Sequence, residues 1–268
     1  MEVLHFTEII DENSFNKLKE IIFEAARLAN SAQSGLAVSI KSDGSRVTNG
    51  DVVVSEFLTK NLKRNFPDYD VFSEENCLEI PTKAKVFIID PIDGTEEYLR
   101  GSTDWTIVIG LVHDKVPVGG LVYHPATDRL YFAFQNGGAF IQHGTVTKRI
   151  IIEPRRPIEA VLSKTDAGER EFLTLANIGN YQTMGSCSLK ILSVAEGTFD
   201  IYPNFKQQCS WWDIVGPGVI LSESGGFILF SKSIPLSFEI PKIPARLLVL
   251  GSRTESIMGS LSALFSSL

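Results

Sequence analysis

The chain has 268 residues, of which 44% are hydrophobic and 21% are charged, and its formal net charge is −7. This length suffices for one large α/β domain or two packed halves, and the composition is ordinary for a soluble globular protein. The negative charge argues against a nucleic-acid partner, because no excess of cations would attract a phosphate backbone. A small phosphorylated substrate remains compatible if local cations overcome the negative field.

The N-terminal segment and the cysteines bear on where the protein works. The segment MEVLHFTEIIDENSF has neither a basic region nor a small-residue cleavage site, so we expect no signal peptide. No apolar run reaches the length of a bilayer span. The three cysteines, Cys77, Cys187 and Cys209, lack metal-binding spacing. We expect a reduced cytoplasmic protein in which the thiols simply pack, with peripheral association with the inner membrane left open.

Apolar residues recur at helical spacing in two early segments. The first predicts a helix over 14–31, and the second a helix over 51–66 with Thr48 or Asn49 near its cap. Between them, short strand-like stretches flank an Asp43-Gly44 turn.

A run of strands follows. Short β-branched and apolar stretches predict a broad, partly antiparallel sheet. Its predicted strands are 69–73, 85–90, 105–112, 117–124, 129–134 and 139–142.

The pattern changes to alternating strands and helices near residue 158. The predicted strands are 160–163, 180–185, 199–203 and 246–251. The predicted helices are 167–178, 188–197, 212–224 and 252–265, the last with a capping box of Ser252 and Glu255. The segment 150–158 is the best internal boundary. We therefore predict an N-terminal α+β half, 1–153, with the larger mixed sheet, and a C-terminal α/β half, 154–268.

Two carboxylates leave the end of one predicted strand in the string IIDPIDGT. Asp90 ends the strand, Asp93 follows three residues later, and Gly94 permits tight geometry before Thr95 opens a short helix. Such carboxylates can converge on a cation, and a helix N-terminus beside them offers N–H groups to a phosphate. A D-x-x-D pattern by itself is explained by an Asp-Gly turn with a capping Asp. The complete string IIDPIDGT after a strand instead favours a cation and phosphate site.

Two further acids stand at ends of elements. Glu74 follows a strand in VFSEEN, and Asp213 begins an apolar helix in WWDIVG. Alone, Glu74 is explained by a solvated surface and Asp213 by the dipole of its helix. Brought together, four carboxylates would repel one another, and a hard cation such as Mg²⁺ would relieve this. No His or Cys cluster competes for a softer metal.

Four segments in this order resemble the inositol monophosphatase superfamily of lithium-sensitive, Mg²⁺-dependent phosphatases. They are KSDGSRVTNGD at 41–51, the SEE segment, DPIDGT, and WD before an apolar helix ending in GG. The resemblance spans about residues 35–255. It implies an α/β fold with a layered α-β-α-β-α sandwich, in which the first half holds the metal site and the second completes the active site.

The resemblance also implies roles for individual residues. Two or three Mg²⁺ ions would be held by Glu74, Asp90, the carbonyl of Ile92, Asp93 and Asp213. Asp51 and Thr95 would orient and deprotonate the attacking water, and Lys41 would lie near a third, loosely held metal. The implied substrate contacts are Glu74, Ile92, Asp93, Gly94, Thr95, Gly185, Ser186, Cys187, Ser188, Lys190 and Asp213.

Within the superfamily the chain looks most similar to the bacterial CysQ-type 3'(2'),5'-bisphosphate nucleotidases. The stretches that carry this are DGTEEYLRG, GSCSLKILSVAEG and FDIYPNFKQQCSWWD. They imply hydrolysis of the 3'-phosphate of adenosine 3',5'-bisphosphate, with Lys190 or Lys206 assisting the second phosphate. For Lys206 a solvated surface position is the preferred alternative. Glu96 and Asn204 depart from the pattern, since basic residues are usual at both places.

Other functions stay open at this point. The alternatives are an inositol-1-phosphate or broad sugar-phosphate phosphatase and a catalytically dead homologue that binds a partner. The presence of all the expected acids counts against the inactive homologue. We expect direct attack by water without a covalent intermediate, because no Ser or Cys has a convincing nucleophile setting. The protein would act as a monomer or a homodimer.

Overall fold

The computed structural model describes residues 9–42, 44–152, 157–206, 209–251 and 258–267. Its α-helices are α1 (Glu12–Ala32), α2 (Asn49–Asn65), α3 (Thr95–Leu99), α4 (Ala167–Leu175), α5 (Cys187–Ala195), α6 (Trp211–Glu223) and α7 (Met258–Ser267). Its strands are β1 (Val38–Ile40), β2 (Arg46–Thr48), β3 (Tyr69–Ser73), β4 (Lys85–Asp93), β5 (Thr106–His113), β6 (Val116–His124), β7 (Arg129–Phe134), β8 (Gly138–His143), β9 (Val146–Arg149), β10 (Glu159–Ser163), β11 (Asn180–Met184), β12 (Ile201–Asn204), β13 (Phe227–Phe230) and β14 (Leu247–Leu250). Within the described ranges, none of the helices is both long and apolar enough to span a bilayer.

The elements agree with the sequence pattern at most places. Thr48 is the N-cap of α2, as predicted, and α3 begins at Thr95. The prediction missed β9 and β13. Three predicted features lie outside the described residues: Asp43 of the turn, the boundary between 153 and 154, and the capping box at Ser252 and Glu255. The division into halves therefore stays a prediction.

Two large sheets dominate the described chain. Strands β3 to β9 form a seven-stranded sheet in sequence order, parallel only between β3 and β4. A five-stranded mixed sheet has the order β11-β10-β12-β14-β13. The short hairpin β1-β2 stands apart from both sheets.

Both faces of the seven-stranded sheet are buried, as strand β5 shows. Its residues Ile107, Ile109 and Leu111 join one buried cluster, while Val108 and Val112 join another. Successive side chains of a strand point to opposite faces, so one strand contributes to two cores. Helices α1 and α2 cover the first face, and α5 and α6 cover the second.

The five-stranded sheet closes the second core and begins a third. Tyr202 of β12 and Val249 of β14 share a cluster with Ile191 of α5. On the outer face of this sheet, Phe172 of α4 and Leu261 of α7 lie in a separate cluster. The layers therefore run α-β-α-β-α, which confirms the predicted fold class.

Helix α6 approaches the large sheet closely at two glycines. Gly110 and Gly120 are paired neighbours on β5 and β6. A Cβ at Gly120 would overlap the carbonyl oxygen of Gly216 and lie 2.7 Å from its Cα, and a Cβ at Gly110 would lie 2.7 Å from Cγ1 of Val215. The absence of side chains at these two glycines therefore lets α6 pack close to the sheet. Helix α6 carries Asp213 near its start.

Gly120→Ala should destabilise the protein by roughly 3 kcal/mol, because backbone of α6 would have to move away from the sheet. Denaturant unfolding measures the change. Gly35→Ala is the control, since no atom lies within 4 Å of the added Cβ. Equal stability of the two variants would contradict the account of how α6 is seated.

Candidate active site

A bulge in strand β4 brings Asp90 and Asp93 to one cavity. Residues three apart on a regular strand point to opposite faces. Here Asp90 pairs with Val108 while Asp93 pairs with Thr106, so a three-residue step opposes a two-residue step on β5. Bulges of this kind re-aim side chains. Both aspartates are buried and line the same cavity.

The start of helix α6 supplies the third aspartate. Ser210 is the N-cap, and its backbone N–H donates to Oδ2 of Asp213 at 2.6 Å. Asp213 lies three residues into a capping box, where an acid is favoured by the helix dipole. One oxygen from each of Asp90, Asp93 and Asp213 lies within 4.8 Å of the others. The predicted acids therefore converge, although they come from two distant parts of the chain.

The cavity around these acids measures about 560 Å³. It lies between the β1-β2 hairpin, the ends of β3 and β4, and the start of α6. Its described lining consists of Lys41, Ser42, Gly44, Ser45, Glu74, Cys77, Asp90, Ile92, Asp93, Gly94, Thr95, Ser210, Trp212, Asp213, Pro241 and Lys242.

Burial and mutual repulsion raise the pKa of Asp90 and of Asp213. Burial raises the pKa of Asp90 well above its usual range, and the charges of Glu74, Asp93 and Asp213 raise it further. Burial likewise raises the pKa of Asp213, with Asp93 and Glu74 adding to it. A hard divalent cation ligated by these oxygens would remove the repulsion. The donor set therefore fits the metal centre that the sequence predicts.

Glu74 lies at the edge of this cluster in a salt bridge. Lys41 Nζ lies 2.8 Å from Oε1 of Glu74 and 2.8 Å from Oε1 of Glu75. Burial raises the pKa of Glu75 to about 7, and the charge of Glu74 adds to this. The structure thus places Lys41 beside Glu74, a predicted metal ligand, while its expected place near a third metal stays a prediction.

Asp51 and Thr95 form a hydrogen-bonded pair, of which Thr95 lines the cavity. Thr95 Oγ1 is 3.2 Å from Oδ1 of Asp51 and 3.3 Å from the carbonyl oxygen of Ile92. Oδ2 of Asp51 accepts from the N–H and the hydroxyl of Thr48, at 2.7 and 2.6 Å. Gly94 makes the turn into α3 with a φ of 103°. The geometry suits a pair that orients a water and removes its proton.

The loop 185–188 contacts Asp93 and does not line the described cavity wall. Oδ1 of Asp93 accepts from the Cys187 N–H at 3.1 Å, and Oδ2 accepts from the Ser188 N–H and the Ser186 hydroxyl at 2.6 Å each. The Ser188 hydroxyl also donates to Oδ2. Sequence reasoning missed this role for the start of α5. Contact of the loop with the substrate stays a prediction.

The two lysines proposed for the second phosphate lie elsewhere. Lys190 is buried and donates to the carbonyls of Gly185 and Ser186, the latter at 2.8 Å, with Nζ 5.1 Å from the ring centre of Tyr202. Lys206 is exposed and donates to the hydroxyl of Thr165. Neither lysine lines the cavity within the described part of the chain.

The cavity also has a wall that sequence reasoning missed. Pro241 and Lys242 line it, although they lie in an irregular stretch between β13 and β14. This stretch is held at the cavity by long-range hydrogen bonds and backbone pairing with the residues that precede and begin α6. No local signal in the sequence could have placed it there.

A model of the inositol monophosphatase family matches residues 4–254. The chain belongs to the inositol monophosphatase family. Membership agrees with the buried acidic cluster, which is the feature of this chain that suits the metal-dependent phosphatases of the family.

Relatives within the family differ in their named activities. A 3'(2'),5'-bisphosphate nucleotidase CysQ from Haemophilus influenzae is 30% identical over 85% of this chain and 88% of that protein. Inositol monophosphatase 3 from Solanum lycopersicum is 29% identical over 68% of this chain and 72% of that protein. The crystal structure of CysQ from Bacteroides thetaiotaomicron matches with a TM-score of 0.75 at 24% identity, covering 92% of this chain and 100% of that one.

Removing charge at Asp90 should stabilise the metal-free protein. Because the pKa of Asp90 is raised in the folded state, the folded protein binds more protons, and stability falls as pH rises through that pKa. In a chelator at pH 8, Asp90→Asn should raise the free energy of unfolding by roughly 1–3 kcal/mol. The gain should shrink as the pH falls through the raised pKa of the folded state, because the buried wild-type carboxyl then takes up its proton.

Thermal unfolding at pH 5 and pH 8 measures this prediction. Asp68→Asn, which neutralises an exposed acid, is the control and should change little. If Asp90→Asn were less stable than the wild type at pH 8 in chelator, repulsion would not be the dominant force at the cluster.

Proposed function

We propose that this chain is a Mg²⁺-dependent phosphomonoesterase that hydrolyses the 3'-phosphate of adenosine 3',5'-bisphosphate, giving AMP and phosphate. The observation that carries the proposal is the convergence of Asp90, Asp93 and Asp213 in a cavity that Thr95 also lines. Thr95 in turn is hydrogen-bonded to Asp51. A hard cation and a water-activating pair are together what ester hydrolysis at phosphorus needs.

The metal ligands in this proposal are Glu74, Asp90, the carbonyl of Ile92, Asp93 and Asp213, which would hold two or three Mg²⁺ ions. Bound divalent ions lower the pKa of water and neutralise charge on a leaving oxygen. Backbone N–H groups hold the carboxylates of the three aspartates in position for these ions. The N–H of Ile92 donates to Oδ1 of Asp90 at 3.0 Å, and comparable donors hold Asp93 and Asp213.

Thr95 and Asp51 would handle the proton of the attacking water. In the resting geometry the Thr95 hydroxyl donates to Asp51, so its oxygen lone pairs remain to accept a proton from water. Burial raises the pKa of the Asp51 carboxyl, which the donors at Thr48 and Thr95 partly oppose. A carboxylate with a raised pKa is the better base near neutral pH. No covalent intermediate is required.

The choice of a nucleotide as the proposed substrate is supported by the named activities of relatives and by the three sequence stretches DGTEEYLRG, GSCSLKILSVAEG and FDIYPNFKQQCSWWD. The Haemophilus influenzae relative is named as a bisphosphate nucleotidase, and its identity covers most of both chains. Gly94, Thr95 and the loop 185–188 would contact the phosphate or the group attached to it. The second candidate is an inositol phosphate phosphatase, which the Solanum lycopersicum relative favours.

A substrate panel in Mg²⁺ tests the proposal. Phosphate release from adenosine 3',5'-bisphosphate should exceed that from inositol 1-phosphate and fructose 1,6-bisphosphate by roughly tenfold or more in kcat/KM. Inositol phosphate turning over fastest would favour the second candidate. Absence of turnover with every ester would contradict both.

Thr95→Ala tests the water-activating pair in the same assay. Loss of a general-base relay should lower kcat by roughly 10²- to 10⁴-fold while the protein stays folded. Thr145→Ala, an exposed threonine between β8 and β9, is the matched control. An undiminished kcat in Thr95→Ala would show that the Thr95 hydroxyl takes no part in activating the water.

A further inference from the structure

We propose that Thr106 is a positioning residue for the cation site, because its hydroxyl fixes, through Ser188, which oxygen of Asp93 is left for a metal ion. The inference rests on the proposed role of Asp93 as a metal ligand and deepens it. It assigns control of the affinity for divalent cations to a buried hydroxyl that lines no part of the described cavity wall.

The two carboxylate oxygens of Asp93 have very different surroundings. Oδ2 accepts from the Ser186 hydroxyl and from the Ser188 N–H, at 2.6 Å each, and also from the Ser188 hydroxyl. For Oδ1 the described part of the chain supplies one hydrogen bond, from the Cys187 N–H at 3.1 Å. A carboxylate oxygen has about two lone-pair sites. Donors of the chain therefore saturate Oδ2, whereas Oδ1 keeps acceptor capacity for a cation.

Each hydroxyl has a single proton, which fixes the direction of the hydrogen bonds around Ser188. An ionised carboxylate accepts hydrogen bonds and cannot donate them. The Ser188 hydroxyl therefore gives its proton to Oδ2 of Asp93. Its oxygen lies 2.6 Å from Oγ1 of Thr106, so the proton in that contact comes from Thr106. The three groups form one directed chain, which runs from Thr106 through Ser188 to Asp93.

Thr106 is held rigidly at the place where it acts on this chain of hydrogen bonds. It is fully buried in β5, and it is the register partner of Asp93 just past the bulge of β4. Paired residues of adjacent strands have neighbouring side chains on one face of the sheet. Ser188 belongs to the first turn of α5. The hydroxyl of Thr106 therefore joins the sheet that carries Asp93 to the helix that supplies its donors.

Donation from Thr106 keeps the Ser188 hydroxyl aimed at Asp93. Without it, the oxygen of Ser188 would lie buried with no proton pointing at it, and that hydroxyl would be free to turn away. Hydrogen bonds in a buried chain also polarise one another, so donation from Thr106 strengthens the bond from Ser188 to Oδ2. Removing a group that orients a metal-ligating side chain in this way typically weakens metal binding roughly ten- to a hundredfold.

The loop that supplies the other donors to Asp93 has anchors of its own. The carbonyl of Ser186 accepts from Lys190 Nζ at 2.8 Å, and the hydroxyl of Ser186 accepts from the Leu189 N–H at 3.1 Å. These contacts hold Ser186 at a φ of 21°, which residues with a side chain rarely adopt. Because the loop is fixed independently, loss of the Thr106 hydroxyl should disturb the orientation of Asp93 and leave the loop in place.

Binding of Mn²⁺ to the substrate-free protein, measured by isothermal titration calorimetry, tests the role of Thr106. The binding step that Asp93→Asn abolishes is the one compared between variants. Thr106→Val keeps the shape of the side chain without its hydroxyl, and it should raise the Kd of this step roughly ten- to a hundredfold. Thr106→Ser should restore most of the affinity. The control is Ser193→Ala, which removes another buried hydroxyl of α5, one that donates to the carbonyl of Lys190 at 2.7 Å. It should leave the Kd unchanged.

A double variant tests whether Thr106 acts through Ser188. Ser188→Ala keeps its backbone N–H and should weaken Mn²⁺ binding in the same way as Thr106→Val. Adding Thr106→Val to Ser188→Ala should then raise the Kd little further, because the group that passes on the effect is already absent. Losses that multiplied in the double variant would overturn the directed chain. If Thr106→Val does not fold, an unchanged Kd in Ser188→Ala would overturn the proposal by itself.

Two further results would overturn the role of Thr106. One is an unchanged Kd in Thr106→Val, even if its stability in chelator is lower, since the hydroxyl would then serve folding alone. The other is a loss of affinity that Thr106→Ser does not restore. A wild type that binds no Mn²⁺ would overturn the cation site and the role of Thr106 together. A wild type that binds Mn²⁺ and hydrolyses no ester would overturn only the proposed function, and the comparison of Kd values would still decide on Thr106.

Discussion

Repulsion between buried carboxylates is the constraint on which the rest of this structure depends. Asp90, Asp93 and Asp213 place oxygens within 4.8 Å of one another in a largely buried position. Such a cluster is costly without a cation, and a fold gathers it only if each acid is held in place. Backbone N–H groups do this for all three, at Ile92, Cys187 with Ser188, and Ser210.

The layered fold supplies those N–H donors from strand β4 of the larger sheet and from the starts of α5 and α6. The bulge in β4 turns two aspartates to one side. Helices α5 and α6 both lie between the two sheets, and the start of α5 contacts Asp93 while the start of α6 carries Asp213. The glycines at 110 and 120 let α6 sit deep enough for Asp213 to reach the cluster. Packing far from the acids thus determines their geometry, which is why the site needs the whole sandwich.

Local sequence patterns predicted the elements and the acids better than the contacts between them. The apolar run of β5 and the helical spacing of apolar residues in α1 both reflect burial of neighbouring side chains, and both predicted elements were confirmed. The string IIDPIDGT also correctly placed Asp90, Asp93 and Thr95 around one strand end and one helix start. These features are encoded within a few residues of each other.

The hydrogen-bond partners of the acids could not be predicted from local sequence patterns. Ser186 and Ser188 contact Asp93 across more than ninety positions of sequence, and Lys242 reaches the cavity through a bridge to Ser210. Such contacts depend on how α5, α6 and the five-stranded sheet stack on the larger sheet. The pattern that suggested Lys190 as a phosphate ligand was local, whereas its carbonyl partners appear only once the loop before α5 is folded.

The central claim is that the clustered acids form a cation site used in phosphate ester hydrolysis. The most direct measurement is anomalous diffraction from crystals grown with Mn²⁺ as a stand-in for Mg²⁺, combined with the same data from Asp213→Asn. The account predicts peaks ligated by Asp90, Asp93 and Asp213 in the wild type, and loss of the peak that depends on Asp213 in the variant. An active enzyme whose crystals show no cation among these three aspartates would contradict it.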